Sequence, residues 1–267
     1  MEYNLHTHTY RCRHASGADR EYVEAAIEAG CAVLGFSDHC PQFFPTDYYS
    51  HFRMFPEQLE DYVRCVSDLK REYASDITIL LGLETEYYPE IFGRLTEFLR
   101  PYDLDYMILG QHFIGNEYDA GSFFSGSHGD DDKERLRLYA EQTIEGLETG
   151  LFTYLAHPDI SECSDDGYYR EQMTRLCKRA RELGIPLEYN ILGYVNGRSY
   201  PSERFWRIAA EVGNSAVLGA DAHSPSALLN VGAYEHCLNK LRSFGISPLS
   251  FDELKIIKPD FGSALDG

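Results

Sequence analysis

The stretch YNLHTHT, residues 3–9, is a strand-like run that carries two histidines, His6 and His8, near its end. Alternate residues of a strand point to the same face, so both imidazoles are predicted to face one side of a sheet. A single histidine at a strand end is more often structural than a ligand. Here the pattern recurs in VLGFSDH (33–39), ITILLGLE (77–84), YMILGQH (106–112), FTYLAHPD (152–159) and AVLGADAH (216–223).

Histidine and carboxylate side chains lie at or just beyond the ends of these runs. They do so far more often than expected if each had only a structural role. The nine candidates are His6, His8, His14, His39, Glu84, His112, His157, Asp221 and His223. Imidazole together with carboxylate suits zinc, iron or manganese. Nine ligands also exceed the needs of one tetrahedral ion. The sequence therefore predicts a site for several transition-metal ions.

Strand-like and helix-like segments alternate along the chain. The strand-like runs begin near residues 3, 33, 77, 106, 152, 186 and 216, and they are apolar, as is typical of parallel strands covered on both faces. Helices are predicted at 19–29, 56–73, 89–100, 132–149, 168–183, 202–212 and 226–244. This order predicts an α/β fold, a seven-stranded (β/α)7 barrel formed by residues 1–267 as one domain. In such barrels the chemistry lies at the C-terminal rim of the strands, where the candidate ligands are.

Charge excludes some partners. The chain has 24 Lys and Arg against 43 Asp and Glu, a formal net charge of −19. That balance argues against a nucleic-acid-binding surface, which needs clustered basic residues. It does not exclude a small phosphorylated substrate. Three divalent ions held by seven neutral histidines and two carboxylates would leave a local charge of about +4, which attracts phosphate.

Cysteine usage and hydropathy indicate a cytoplasmic protein. The seven cysteines are scattered and contain no C-x-x-C, so neither a disulfide framework nor a thiolate zinc site is predicted. The chain opens directly into its first strand without a segment that resembles a signal peptide. No apolar run approaches the length of a membrane span, so no membrane partner is expected. The oligomeric state stays open.

The motifs together resemble the PHP (polymerase and histidinol phosphatase) superfamily, in its stand-alone histidinol-phosphatase branch. The segments that carry the resemblance span residues 6 to 225: HTHTYRCRHASG, GFSDHCP, GLETEYYP, LGQHF, AHPD, YNILGYVNGRSYPSERFW and LGADAHSP. The resemblance implies a distorted seven-stranded barrel with a trinuclear site. It assigns His6, His8, Glu84 and Asp221 to one ion, Glu84, His112 and His157 to a second, and His14, His39 and His223 to a third.

The function implied by the resemblance is metal-dependent hydrolysis of a phosphomonoester, with L-histidinol phosphate of histidine biosynthesis as the expected substrate. A water activated by the metal ions would attack phosphorus in line. A nucleotide or sugar phosphate is the alternative within this class. An amidohydrolase-type metallohydrolase would not need the trio of His14, His39 and His223. A non-catalytic scaffold would be expected to have lost ligands, and none is missing here.

Other residues have less specific signals. Arg198, in NGRSYPSE, is predicted to clamp the phosphate, because a planar guanidinium meets two of its oxygens. Arg53 is the reserve candidate, and Asn190 and His51 are further candidates for substrate contact. Asp221, His223 or a metal-bound water would protonate the leaving oxygen, and the sequence does not choose among them. Asp19 is predicted to cap the first helix, and Glu86 ranks behind Glu84 as a ligand. Some family members have an arginine after AHPD, where this chain reads DISECSDD.

Overall fold

A computed structural model describes residues 1–119, 122–127 and 131–262 of the chain. Its strands are β1 (Tyr3–Asn4), β2 (Val33–His39), β3 (Thr78–Thr85), β4 (Tyr106–Leu109), β5 (Phe113–Ile114), β6 (Phe123–Phe124), β7 (Leu187–Asn190) and β8 (Ala216–Gly219). Its α-helices are α1 (Asp19–Glu28), α2 (Leu59–Glu72), α3 (Pro89–Leu99), α4 (Asp132–Glu148), α5 (Asp166–Leu183), α6 (Ile191–Val195), α7 (Glu203–Val212), α8 (Pro225–Leu228) and α9 (Val231–Ser243). Two short 3₁₀ helices cover Tyr10–Cys12 and Pro56–Gln58.

Parallel pairing confirms the predicted α/β class. Strands β1 to β4 form a curled parallel sheet in chain order, half of a barrel, and β7 pairs in parallel with β8. In the β2–β3 register, His39 lies opposite Glu84 at the C-terminal end of both strands. The short strands β5 and β6 form an antiparallel hairpin, which the sequence did not predict.

The predicted fifth strand, 152–159, is wrong in extent. Within it only Leu155 forms β-bridges, to Leu109 and Leu187, although the amides of Thr153 and Ala156 also donate to the neighbouring chain segment. The run turns at His157, whose φ is +29°, and Pro158 has no N–H to donate to a ladder. A further parallel bridge joins Thr7 to Ala222, beyond the ends of β1 and β8.

Aromatic side chains fill the space enclosed by the strands. The buried Tyr106 donates its hydroxyl to the carbonyls of Leu5 at 2.8 Å and Phe36 at 3.1 Å. Gly35 and Gly82 make room for it, since a Cβ on Gly35 would lie 2.3 Å from the Tyr106 hydroxyl and one on Gly82 would lie 2.4 Å from its ring. The strand floor below the site is therefore a packed core.

The predicted helices lie close to their predicted positions, with three differences in detail, and the short helix α6 was not predicted. Asp19 is not the N-cap of α1: Ala18 has that position, and the Asp19 carboxylate accepts from Arg11 Nη1 at 2.8 Å. Pro56 opens the 3₁₀ helix ahead of α2. The helix predicted at 226–244 is two helices, because Asn230 caps α9 through its side chain on the amide of Ala233. Among the described residues, no helix has both the length and the apolar character that a bilayer span requires.

Candidate metal centre

The C-terminal ends of the strands bring all nine predicted ligands into one cluster. His6 and His8 follow β1, His39 ends β2, Glu84 lies in β3 and His112 follows β4. The other four join through ring contacts and ion-pair distances, which link His14, His157, Asp221 and His223 to the same group. Close packing makes this possible: a Cβ on Gly110 would lie 2.0 Å from Glu84 Oε1.

Glu84 lies at the centre of the cluster and is 1% exposed. Its Oε1 lies 2.9 Å from His157 Nε2 and 3.6 Å from His112 Nε2. Its Oε2 lies 2.9 Å from His39 Nδ1, and 3.5 Å from Nε2 of both His6 and His8. One carboxylate thus presents its two oxygens to two separate sets of imidazoles.

Asp221 forms a second anionic point of the cluster. Its Oδ1 lies 3.1 Å from His8 Nε2, 3.6 Å from His6 Nε2 and 3.2 Å from His223 Nδ1. Asp221 and His157 both have positive φ, +49° and +29°. Non-glycine residues rarely adopt this region, and such strain collects at functional sites.

Three further buried carboxylates hold the outer nitrogens of the histidines. Glu188 lies 2.7 Å from His6 Nδ1, Glu86 2.8 Å from His112 Nδ1, and Asp38 3.4 Å from His8 Nδ1. A carboxylate on the outer nitrogen fixes the tautomer and leaves Nε2 free for a metal. Sequence reasoning missed Glu188 and Asp38. The available signal was a carboxylate in an otherwise apolar strand, within two residues of a ligand or a strand end.

The arrangement fits transition-metal ions. Ligand atoms lie within 4.8 Å of one another in the groups His6–His8–Glu84, His6–His157–Asp221, His8–His39–His223 and Cys12–His14–His223. Several buried atoms in the centre have no hydrogen-bond partner, namely His6 Nε2, His8 Nε2, His39 Nδ1 and Glu84 Oε2. Buried polar atoms left unpaired cost free energy, and metal ions bound in the cluster would satisfy them.

Electrostatic coupling in the cluster is strong. Burial alone would lower the pKa of His8, but the nearby carboxylates of Asp221 and Asp38 outweigh it and raise the pKa to about 9. Burial and the neighbouring His223 lower the pKa of His14 to about 4. The pKa of Glu84 stays well below its usual range, because the surrounding histidines outweigh the effect of burial. Protons therefore compete with metal for His8, whereas His14 is ready to bind.

A pocket of about 270 Å³ opens onto the cluster. Four histidines and Asp221 form its floor, and its wall is made by Phe52, Phe113, Phe124 and Arg198. Phe52 comes from the loop at 40–55, and Phe124 comes from a second segment, 114–131, which includes β6. Residues 120–121 and 128–130 of that second segment lie outside the described residues.

The predicted substrate contacts have different outcomes. Arg198 lines the pocket and donates through Nη1 to the Tyr200 hydroxyl. Arg53 does not face the pocket as a free cation, because its guanidinium is buried against Glu86 and Glu117. The polar side-chain atoms of Asn190 also have hydrogen-bond partners within the protein.

The side chain of Asn190 caps α6 on the amide of Gly193 and donates to Glu188 and Asp221. The polar atoms of Arg53 and Asn190 are therefore used within the protein, which argues against the predicted substrate contact of both residues. His51 is exposed beside Tyr49, with ring centroids 5.5 Å apart, and it is not part of the pocket lining.

Proteins with names of known activity are similar to this chain. A "Probable histidinol-phosphatase" of Deinococcus radiodurans is 29% identical over 270 residues, which cover 94% of this chain and 96% of the relative. The Histidinol-phosphatase of Bacillus subtilis is 35% identical over 115 residues, 41% of this chain and 43% of that protein.

Solved structures show the same fold. The histidinol phosphate phosphatase of Lactococcus lactis, solved in complex with zinc, L-histidinol and phosphate, superposes with a TM-score of 0.71 at 18% identity, covering 97% of this chain and 98% of the other. The family model of the PHP domain matches residues 4–190. The chain therefore belongs to the PHP domain family.

Proposed function

We propose that this protein is a metal-dependent phosphomonoesterase that hydrolyses L-histidinol phosphate to L-histidinol and phosphate. The observation that carries the proposal is the position of Glu84 between five imidazoles, below a pocket whose wall holds Arg198. The names of the curated relatives and the zinc, histidinol and phosphate in the Lactococcus lactis structure support the same reaction and substrate.

We propose three divalent transition-metal ions, zinc, iron or manganese. His6, His8, Glu84 and Asp221 would hold the first, Glu84, His112 and His157 the second, and His14, His39 and His223 the third. The division of Glu84 contacts between Oε1 and Oε2 supports the first two sets. When bound, the ions supply Lewis acidity that makes a water more acidic and offsets the phosphate charge.

In this proposal, side chains of the pocket orient the phosphate and supply the proton to the leaving oxygen. Arg198 is the cation on the pocket wall, and its contact with Tyr200 limits the directions its guanidinium can take. We propose that its planar fork holds two phosphate oxygens. Asp221 and His223 both line the pocket, and in this proposal one of them, or a metal-bound water, would protonate the leaving oxygen.

The aromatic wall favours histidinol phosphate over a sugar phosphate. Phe52 and Phe113 lie nearly parallel with centroids 5.9 Å apart, and Phe113 meets Phe124 edge-on at 5.7 Å. Flat rings bind well against such a surface, whereas a sugar offers hydroxyl groups that this wall cannot pair. The imidazole of histidinol is the flat group that the proposed substrate supplies.

We also propose that seven strand segments complete one distorted barrel and that residues 1–267 form a single domain. The parallel bridges Leu109–Leu155, Leu155–Leu187 and Thr7–Ala222 support a continuous ring of neighbours. Such a ring would put every proposed ligand on one rim.

A panel of phosphomonoesters tests the function. The metal-free protein is reconstituted with zinc, iron, manganese or magnesium alone, and phosphate release is measured for L-histidinol phosphate, nucleoside monophosphates and sugar phosphates. We expect L-histidinol phosphate to have the highest kcat/KM with a transition metal. A higher kcat/KM for a nucleotide or sugar phosphate would overturn the substrate assignment.

A further inference from the structure

Arg53 is a buried cation joined to two buried carboxylates beside the metal centre. It is 2% exposed, and its side chain donates to Glu86, Glu117, Ser50 Oγ and the Cys40 carbonyl. The contact with Glu86 is bidentate, at 2.8 Å from Nη1 and 3.1 Å from Nη2. All five N–H groups of the guanidinium have acceptors, so its orientation is determined by the protein.

Glu86 connects this cation to a proposed metal ligand. Its Oε1 accepts from Arg53 Nη2 and also lies 2.8 Å from His112 Nδ1. With Nδ1–H donated outward, His112 turns Nε2 toward Glu84 Oε1, 3.6 Å away. The position of Arg53 thus determines where Glu86 lies, and Glu86 determines the tautomer and direction of His112.

Arg53 also connects the centre to the pocket wall. Its guanidinium carbon lies 4.3 Å from the ring centroid of Phe52, and that ring lies 5.6 Å from the ring of His112. Its second carboxylate, Glu117, belongs to the connection between β5 and β6, the hairpin that carries Phe113 and Phe124. The guanidinium of Arg53 therefore contacts both the segment that carries Phe52 and the connection between β5 and β6.

We propose that Arg53 is a positioning residue that holds His112 in its metal-binding orientation through Glu86 and anchors the aromatic wall through Glu117. The proposal rests on the proposed metal site. Arg53 contacts neither phosphate nor metal in this scheme, and a lysine cannot replace it, because an ammonium cannot span two carboxylates and a carbonyl in one plane.

Two variants test the proposal. Arg53→Lys keeps the charge but loses the planar fork. If the lysine variant fails to fold, the double variant Arg53→Gln/Glu117→Gln replaces it. This variant removes one charge of each sign, so Glu117 is not left as a buried carboxylate without its cation. Arg204→Lys is the matched control, since Arg204 also binds a carbonyl, Cys163 O, and a carboxylate, Asp166, but touches no proposed ligand.

Metal affinity is the readout that a purely structural role would not change. Zinc-loaded proteins are titrated with a chelator well below their unfolding temperatures, and bound zinc is counted by elemental analysis. We expect one ion per chain to be lost about 10–100-fold more readily from both Arg53 variants than from wild type and the control, with the other ions retained.

The results for the Arg53 variants and for wild type distinguish a failure of this inference from a failure of the proposed function. Folded Arg53 variants that hold every ion as tightly as wild type overturn the inference and leave the phosphatase proposal intact. If wild type binds no zinc through His112, the proposed metal site is wrong, and this inference is then wrong as well. Glu117→Gln alone should raise KM for L-histidinol phosphate while metal content stays at the wild-type value. An unchanged KM would overturn the anchoring of the wall.

Discussion

Nε2 of His14 lies 2.8 Å from Nε2 of His223. The Nδ1 atoms of these rings lie 3.0 Å from backbone carbonyls, those of Cys12 and Asp221, which Nδ1–H groups would satisfy. Both Nε2 atoms then present lone pairs to each other. A shared cation removes this repulsion, and the pair is therefore the clearest sign of the third proposed ion.

Replacing His14 with glutamine should remove one ion and leave two. The change deletes an imidazole of the third set but no contact of Glu84, whose five imidazole neighbours do not include His14. Elemental analysis of His14→Gln after gentle purification checks the count. Retention of the full wild-type metal content would show that His14 is not a ligand.

Glu84→Ala should damage two ion sites at once, because its two oxygens serve different imidazoles. We expect metal content to fall by two ions and hydrolysis to fall by at least about 10³-fold, since two ions cooperate in neutralising the phosphate. Asp105→Asn is a suitable control: Asp105 accepts from Lys70 and Leu81 next to the N-terminal end of β4. The bridging assignment is wrong if Glu84→Ala keeps its ions and its rate.

Arg198 should affect the rate without affecting metal content. Loss of a charge-assisted contact to the phosphate is expected to lower kcat/KM by about 10²–10³-fold in Arg198→Ala, and by less in Arg198→Lys. Tyr200→Phe removes only the hydroxyl that accepts from Arg198 Nη1, and its effect on kcat/KM should be smaller. Steady-state kinetics with parallel metal analysis checks this. Loss of metal from Arg198→Ala, or an unchanged kcat/KM, would contradict the phosphate role.

Metal binding should release protons and weaken on acidification. Without metal the pKa of His8 is raised to about 9 and that of His6 is also raised, so below pH 9 an ion must displace protons. Each displaced proton makes apparent affinity fall about tenfold per pH unit lowered. His14, with its pKa of about 4, competes only at strongly acidic pH. Calorimetry in buffers of different ionisation enthalpy measures the protons released. Affinity that is constant between pH 8 and 6 would contradict this coupling.

Most of the nine proposed ligands could be picked out from the sequence because they lie at or just beyond strand ends, which meet at one rim. His14 is the exception, since the 3₁₀ helix Tyr10–Cys12 separates it from β1. The α/β class and most helix limits followed from apolar periodicity in the same way. The fifth strand was not predictable in extent, since the turn at His157 depends on tertiary packing around Glu188, which accepts the His157 amide at 3.0 Å.

The partners of the ligands were harder to predict than the ligands. Arg53 and Glu117 are 64 residues apart and meet only because two long loops fold over the same rim. A loop arginine near phosphate chemistry looks like a phosphate clamp in sequence, whereas its buried carboxylates are visible only in three dimensions. Asn190 is a similar case, as its cap on Gly193 and its contact with Glu188 are both visible only in three dimensions.

The most direct test of the central claim is the rate of phosphate release from L-histidinol phosphate as a function of bound metal per chain. We expect no hydrolysis by the metal-free protein and a rate that rises with loading until three transition-metal ions are bound. Full activity with less than one ion per chain, or no hydrolysis of L-histidinol phosphate at full loading, would contradict it.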